Sequence, residues 1–259
     1  IKMNMTLSKM KFVKNIYVPP TGTDESLAIG ACYYLNKKYK NKPLKNIYLG
    51  QEMSNVKITK ENLRQLFKKK KNISVQENIN HKKIVRLINK GEIIAVARGR
   101  EEFGARALGN RSIIANPSVD GIIQKINEQI KNRDFWMPFA LSILDKKHKD
   151  FIKNDKNIIS DFMTIGFDTK INGYEKIKNG THPYDKTVRP QILRRSFNPQ
   201  YYSIIEEFYK ISKIPAVLNT SLNLHGQPIS SKLEDVIHTF NNSELKYLYL
   251  NDNYLITKA

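Results

Sequence analysis

Along the first third of the chain the hydrophobic positions follow helical spacing. In Thr21–Lys38 ("TGTDESLAIGACYYLNKK") Leu27, Ala31 and Tyr34 share one face, which predicts a loop feeding a helix. "KNIYVPP" (Lys14–Pro20) predicts a short strand ended by two prolines, and "NIYLGQEM" (Asn46–Met53) another. Residues 60–71 and 80–90 read as helices, with Lys68–Lys71 as a solvated face; the polar "KNISVQENINH" between them marks a boundary. From Gly91 the pattern changes. "EIIAVA" (Glu92–Ala97), "RSIIA" (Arg111–Ala115), "FALSIL" (Phe139–Leu144), "FMTIGF" (Phe162–Phe167) and "PAVLN" (Pro215–Asn219) predict strands. Ser118 is expected to cap a helix whose stripe is Val119, Ile122, Ile123, Ile126 and Ile130. Residues 200–212 predict a helix with Tyr201, Ile204, Ile205 and Phe208 inward, and Ser231 with Glu234 a capping box for the next. "KYLYLNDNYLITK" predicts a terminal hairpin turning at Asn251–Asn253. Strands alternate with helices, so the class is α/β or α+β with a mixed sheet.

Composition narrows this picture. A chain of 259 residues, 40% hydrophobic, can bury a sizeable core. Its net charge of +20 suits nucleic acid or an acidic substrate. Lys, Asn and Ile are abundant everywhere, however, including loops and helix faces, so compositional drift is the favoured reading of the charge and a nucleic-acid surface the lesser one. One cysteine, Cys32, excludes an internal disulfide. No apolar run approaches the ~18–20 residues of a membrane span, and the N-terminus lacks a leader pattern. A cytoplasmic location is expected, and the start at Ile1 is read as a piece of a longer protein or one part of a split one.

The candidate chemistry begins with "GREEFGARALGNRSIIANP" (Gly99–Pro117). Only ten arginines occur in the chain, and Arg100, Arg106 and Arg111 fall here, just after Arg98. Arginine is a rigid fork that grips carboxylates and phosphates bidentately. With Gly99, Gly104 and Gly109 letting backbone N–H groups approach, the loop reads as an anion cradle. Lys131 and Arg133 end the next helix, where cations favour the dipole, and Trp136 reads as core. In "HPYDKTVRPQ" (His182–Gln191), Asp185 could orient Arg189 or His182. "LNTSLNLHGQPI" (Leu218–Ile229) places Asn219, Thr220, Ser221 and Asn223 at a strand end, suited to phosphate or a planar amide. A Ser221–His225 nucleophile is conceivable, but nothing beside it resembles a nucleophile elbow. The five histidines form no short-spaced metal pair. Asp24 reads as a helix cap.

Taken together, "GREEFGARALGNRSIIANP", "INEQIKNRDFWMPFALSIL", "HPYDKTVRPQI" and "LNTSLNLHGQPI" resemble the successive C-terminal motifs of O-carbamoyltransferases of the nodulation-factor and aminoglycoside type. "YVPPTGTDESLAIGA" resembles the end of that family's actin-like first domain. The resemblance implies a YrdC-like α/β domain with a twisted mixed sheet and flanking helices over 78–259. Residues 1–77 would be the tail of the actin-like (ASKHA-type) domain. It implies activation of carbamoyl phosphate with ATP, as its magnesium complex, to carbamoyl adenylate, and transfer to a hydroxyl of a sugar or similar acceptor. The complete first domain would carry an Fe-type metal. By motif, Arg106, Arg111, Lys131, Arg189 and Ser221 resemble the carbamoyl-phosphate and adenylate contacts. Arg100, Asn219, Thr220 and Asn223 share those motifs, and Asp24 resembles the metal-binding aspartate. Ala105, Met137 and Leu222 stand where the family has proline, arginine and phenylalanine. The alternatives are a YrdC-like tRNA threonylcarbamoylation enzyme and a basic RNA-binding module without catalysis.

Overall fold

Isoleucine- and valine-rich runs with no polar alternation need cover on both faces, and four of them form the middle of one sheet. The structure, a computed structural model, describes residues 1–36, 44–54, 57–67, 72–134 and 137–258. In chain order its elements are α1 (Lys2–Lys9), α2 (Glu25–Leu35), α3 (Lys60–Leu66), β1 (Ile73–Gln76), α4 (His81–Asn89), β2 (Ile94–Ala97), β3 (Arg111–Ala115) and α5 (Ile122–Ile126). After a π-helical turn (Asn127–Lys131) come β4 (Ala140–Leu144), β5 (Phe167–Asp168), α6 (Ile171–Ile177), β6 (Thr187–Val188) and β7 (Gln191–Leu193). The chain then runs through α7 (Pro199–Ser212), β8 (Ala216–Ser221), α8 (Leu233–Asn241), β9 (Tyr247–Leu250) and β10 (Tyr254–Lys258).

The large sheet has the order β1-β10-β9-β2-β3-β8-β4-β7. Its β2–β9 and β4–β7 pairs are parallel and the rest antiparallel. This is the mixed α/β architecture the alternation predicts. Every residue of β2, β3 and β4 is buried. Helix α4 packs on α7, and α7 on β4 and β8. Tyr201, Ile204, Ile205 and Phe208 face inward from α7, each at 0% exposure. The β9–β10 hairpin turns at Asn251–Asn253, with Asn251 and Asp252 at positive φ. Strand β1 pairs with β10, so the sheet reaches back across residue 78.

Several elements differ from their pattern. Lys14–Pro20 forms no strand among the described residues. Asn46–Met53 forms no strand either; it lies along the arginine–glycine loop, with Gly50 N–H donating to Glu101 O (3.0 Å), Glu101 N–H to Gln51 O (3.0 Å) and Phe103 N–H to Ile47 O (2.8 Å). Its partner is a glycine-bearing loop, so pairing stops at an isolated bridge between Glu52 and Arg100. Phe162–Phe167 contributes only its last residue to β5. Helix α2 buries no residue, and Leu27 stands 68% exposed. Periodicity records an apolar face, not what covers it.

Two caps also shift. The Ser118 hydroxyl donates to Asn116 Oδ1 (2.8 Å), and α5 starts only at Ile122, after left-handed Gly121. At α8 the acceptor is Asp235 and not Glu234: its Oδ2 takes the N–H groups of Ser231 (3.1 Å) and Lys232 (2.9 Å). Lys68–Lys71 and Trp136 lie outside the described residues.

Candidate functional site

The site gathers at the ends of β3, β8 and the π-helical turn. Five-residue hydrogen bonding there (Asn132 N–H to Asn127 O, 2.8 Å) and left-handed Asn132 (φ 42°) end the helix at Lys131. Lys131 is 1% exposed. Its ammonium donates to Asn223 Oδ1 (2.6 Å), Asn223 O (3.3 Å) and Ser221 Oγ (3.2 Å). The Ser221 hydroxyl donates in turn to Asn223 Oδ1 (2.6 Å). His225 Nδ1 bonds the Lys131 carbonyl (2.8 Å), so the imidazole holds the turn in place and is not paired with Ser221.

Arg133 acts on this lysine, Arg106 acts in turn on Arg133, and both arginines act on Arg189. Burial and the neighbouring Arg133 push the Lys131 ammonium down to about 7. Burial and Arg106 lower Arg133, and burial, Arg106 and Arg133 lower Arg189 to about 10, which still leaves it charged at neutral pH. Among the described residues no carboxylate pairs with any of the four. Arg189 Nε is buried without a hydrogen-bond partner. Four cations held together without a counter-charge are unfavourable unless an anion completes the site. Arg133, which also lies over the Phe139 ring (5.5 Å), belongs to this set. Its sequence pattern places it only at a helix end. The signal is its spacing from Lys131 across one residue, a separation that puts two side chains on different helix faces unless the helix is broken between them.

The remaining candidates do other work. The Arg111 guanidinium is 0% exposed and bonds only main-chain carbonyls. Arg100 donates to Gly50 O (3.0 Å) and Leu49 O (2.8 Å), fastening the 46–53 segment. Asn219 Nδ2 donates to Ala107 O (3.0 Å) and Ser142 Oγ (2.9 Å), beneath the arginine–glycine loop. Thr220 lies buried in β8 opposite Ile113. The amides at the end of the loop are taken: Glu102 Oε1 accepts those of Leu108, Asn110 and Arg111, and Ser112 Oγ that of Gly109. Asp185 does not reach Arg189. It takes Lys2 and Thr187 and lies 3.5 Å from His182 Nδ1; burial raises its carboxyl, but those hydrogen bonds bring it well below the carboxylate range.

Arg106 is exposed and also lines a cleft of about 240 Å³ with Thr21, Gly22, Thr23, Ala105 and Met163. Asp24, next along, stands exposed at the start of α2 and makes no side-chain cap bond. Among the described residues no three His, Cys, Asp or Glu side chains gather as metal ligands. Leu222 is fully buried, whereas Ala105 and Met137 are exposed, so two of the three departures from the family pattern face solvent.

The chain belongs to the carbamoyltransferase C-terminus family, whose model matches residues 85–258. It is 38% identical over 261 residues to protein MJ1051 of Methanocaldococcus jannaschii, covering 100% of this chain and 49% of that protein. It is 30% identical to nodulation protein NolO of Bradyrhizobium diazoefficiens (94% of this chain, 45% of NolO). It is 29% identical over 164 residues to the 3'-hydroxymethylcephem-O-carbamoyltransferase of Amycolatopsis lactamdurans (61% and 29%). The chain thus spans about half the length of the curated relatives it matches. Full-length HypF in its phosphate- and nucleotide-bound form is similar over 69% of this chain and 24% of HypF, at 15% identity and a TM-score of 0.45, a likeness too distant to speak to function. No helix of the described residues is long and apolar enough to cross a membrane.

Proposed function

We propose that the pocket of Arg106, Lys131, Arg133 and Arg189 binds carbamoyl phosphate and ATP and forms carbamoyl adenylate for O-carbamoylation of a hydroxyl acceptor such as a sugar. The observation that carries this reading is the unneutralised set of four cations. Two anionic substrates repel each other, and preorganised forks offset that repulsion where charge develops. Arg106 and Arg189 would hold phosphoryl oxygens; Lys131, set by Ser221 and Asn223, would hold the carbamoyl end. In balance, one ATP, one carbamoyl phosphate and one water give carbamoyl adenylate, phosphate and pyrophosphate. ATP would enter as its magnesium complex, and no step is assigned to a further metal through Asp24. The activating unit would run from the β1 edge of the sheet to the C-terminus. Transfer to the acceptor would belong to an actin-like part of which residues 1–77 are the tail, joined to it or supplied by a second chain.

The test is carbamoyl-phosphate-dependent exchange of labelled pyrophosphate into ATP, in the full-length protein and without acceptor. Exchange is expected with carbamoyl phosphate and not with threonine plus bicarbonate. The reverse preference would favour a tRNA threonylcarbamoylation enzyme, and no exchange with either substrate would refute adenylate formation.

A further inference from the structure

The loop that presents Arg106 is held by two buried, oppositely charged side chains that face the main chain instead of each other. Glu102 is 3% exposed, and its Oε1 accepts three amide hydrogens, from Leu108 (2.7 Å), Asn110 (2.7 Å) and Arg111 (3.2 Å). Successive amides converging on one point make a ready anion site; here the chain fills it with its own carboxylate. Arg111 does the converse. Its Nε donates to Ser231 O (3.0 Å), its Nη2 to Ser231 O (2.9 Å) and Gly99 O (2.9 Å), and its Nη1 to Asn110 O (3.0 Å) and Arg98 O. A guanidinium has five N–H donors, so none is left for a ligand. Neutral groups hold residues 107–109 of the loop. Asn219 takes Ala107 O, Tyr48 takes Leu108 O (2.8 Å), and Gly109 (φ 115°) lies where a Cβ would meet the Tyr201 ring at 2.3 Å. Arg100 fastens the 46–53 segment instead, and Arg106, which is exposed on the same loop, acts electrostatically on Arg133 and Arg189.

We propose that Glu102 and Arg111 are positioning residues: a carboxylate on the loop's amides and a guanidinium on main-chain carbonyls fix the stretch of backbone that carries Arg106. Arg111 thereby acts through Arg106 and touches no substrate. The proposal rests on the carbamoyl-phosphate reading of the pocket. Its physical ground is that a bidentate fork discriminates by geometry, and a displacement of about 1 Å can cost 100-fold.

The experiment pairs two measurements on the full-length protein at a temperature well below its melting transition. These are the affinity for carbamoyl phosphate by titration calorimetry and the hydrogen exchange of residues 103–111, with the β9–β10 hairpin as internal reference. Arg106→Gln is expected to weaken binding about tenfold or more with loop exchange unchanged. Arg111→Lys and Glu102→Ala are expected to speed loop exchange and weaken binding, each about tenfold or more, with the hairpin unchanged. Glu102→Gln keeps the acceptor oxygen and is expected to restore most of both. Weaker binding in Arg111→Lys with loop exchange as in the parent would make Arg111 a substrate contact and overturn the proposal. So would a loosened loop with undiminished affinity. If Arg111→Lys fails to fold, the Glu102 pair carries the same two readings. A parent protein that does not bind carbamoyl phosphate refutes the pocket reading itself, which the parent titration alone reveals.

Discussion

Lys131 joins local chemistry most directly to function. An ordinary lysine titrates near 10.5, but this ammonium is pushed down to about 7 by burial and by Arg133. Below pH 7 both the folded and the unfolded chain carry the proton, and the folded state bears a buried, uncompensated cation. Between 7 and about 10.5 the unfolded chain binds more protons than the folded one, so this group's contribution to stability rises with pH. Anion binding follows the opposite sign, because the protonated form is the one that grips. Carbamoyl-phosphate affinity is therefore expected to fall as pH rises from 6.5 to 8.5, with proton uptake on binding at the upper end. Calorimetry in buffers of different ionisation enthalpy measures that uptake. Lys131→Met is expected to bind at least about tenfold more weakly and to lose the proton uptake. It should also melt a few degrees higher, since removing the buried charge gains about 1 kcal/mol, or ~2–4 °C in a domain of this size. A variant that binds weakly but melts lower would mean that the ammonium stabilises the folded chain through its bonds to Ser221 and Asn223 by more than its burial costs.

Helix α8 gives the sharpest test among the elements. Two amides ahead of it converge on Asp235, while Glu234 makes no such bond. Asp235→Ala is expected to cost about 1 kcal/mol of stability and Glu234→Ala less than ~0.5 kcal/mol, by chemical denaturation. Equal losses would return the cap to Glu234. The same case shows what the sequence can carry. Strands β2, β3, β4 and β8 were legible as short unbroken apolar runs, and helices α4 and α7 because each concentrates its apolar residues in one helical period. Caps were legible as a class but not to the residue, because Ser231, Glu234 and Asp235 all suit the position and only backbone geometry chooses. The meeting of Lys131 with the strand-end Ser221 and Asn223 was legible by motif. Membership of Arg133 was not, because it depends on the π-helical turn, which no periodicity announces. Nor was the inward turn of Arg111, since a fork suited to phosphate is equally suited to carbonyls.

Over the whole molecule the question is which positive charges matter. The net charge is +20, but most of it rests on lysines scattered along the chain, whereas Lys131, Arg133 and Arg189 of the pocket are buried or half-buried. Exposed charges are screened beyond about 8–10 Å near physiological salt, and buried ones much less. Binding driven by the scattered lysines releases counterions from a polyanion, so its affinity falls steeply and linearly in log salt. The two kinds of binding should therefore separate in one titration series between 50 and 300 mM salt. Affinity for unstructured RNA is expected to drop about 100-fold or more, with no preference between tRNA and random sequence. Affinity for carbamoyl phosphate, held by a few directed bonds in a confined site, is expected to change by less than about tenfold. Lys131→Met and Arg189→Lys should weaken the small ligand and leave RNA binding within about twofold, since neither adds to the exposed field. A tRNA preference that survives 150 mM salt and is lost in the pocket variants would instead join the two charge sets, and would make nucleic acid the molecule on which this chain acts.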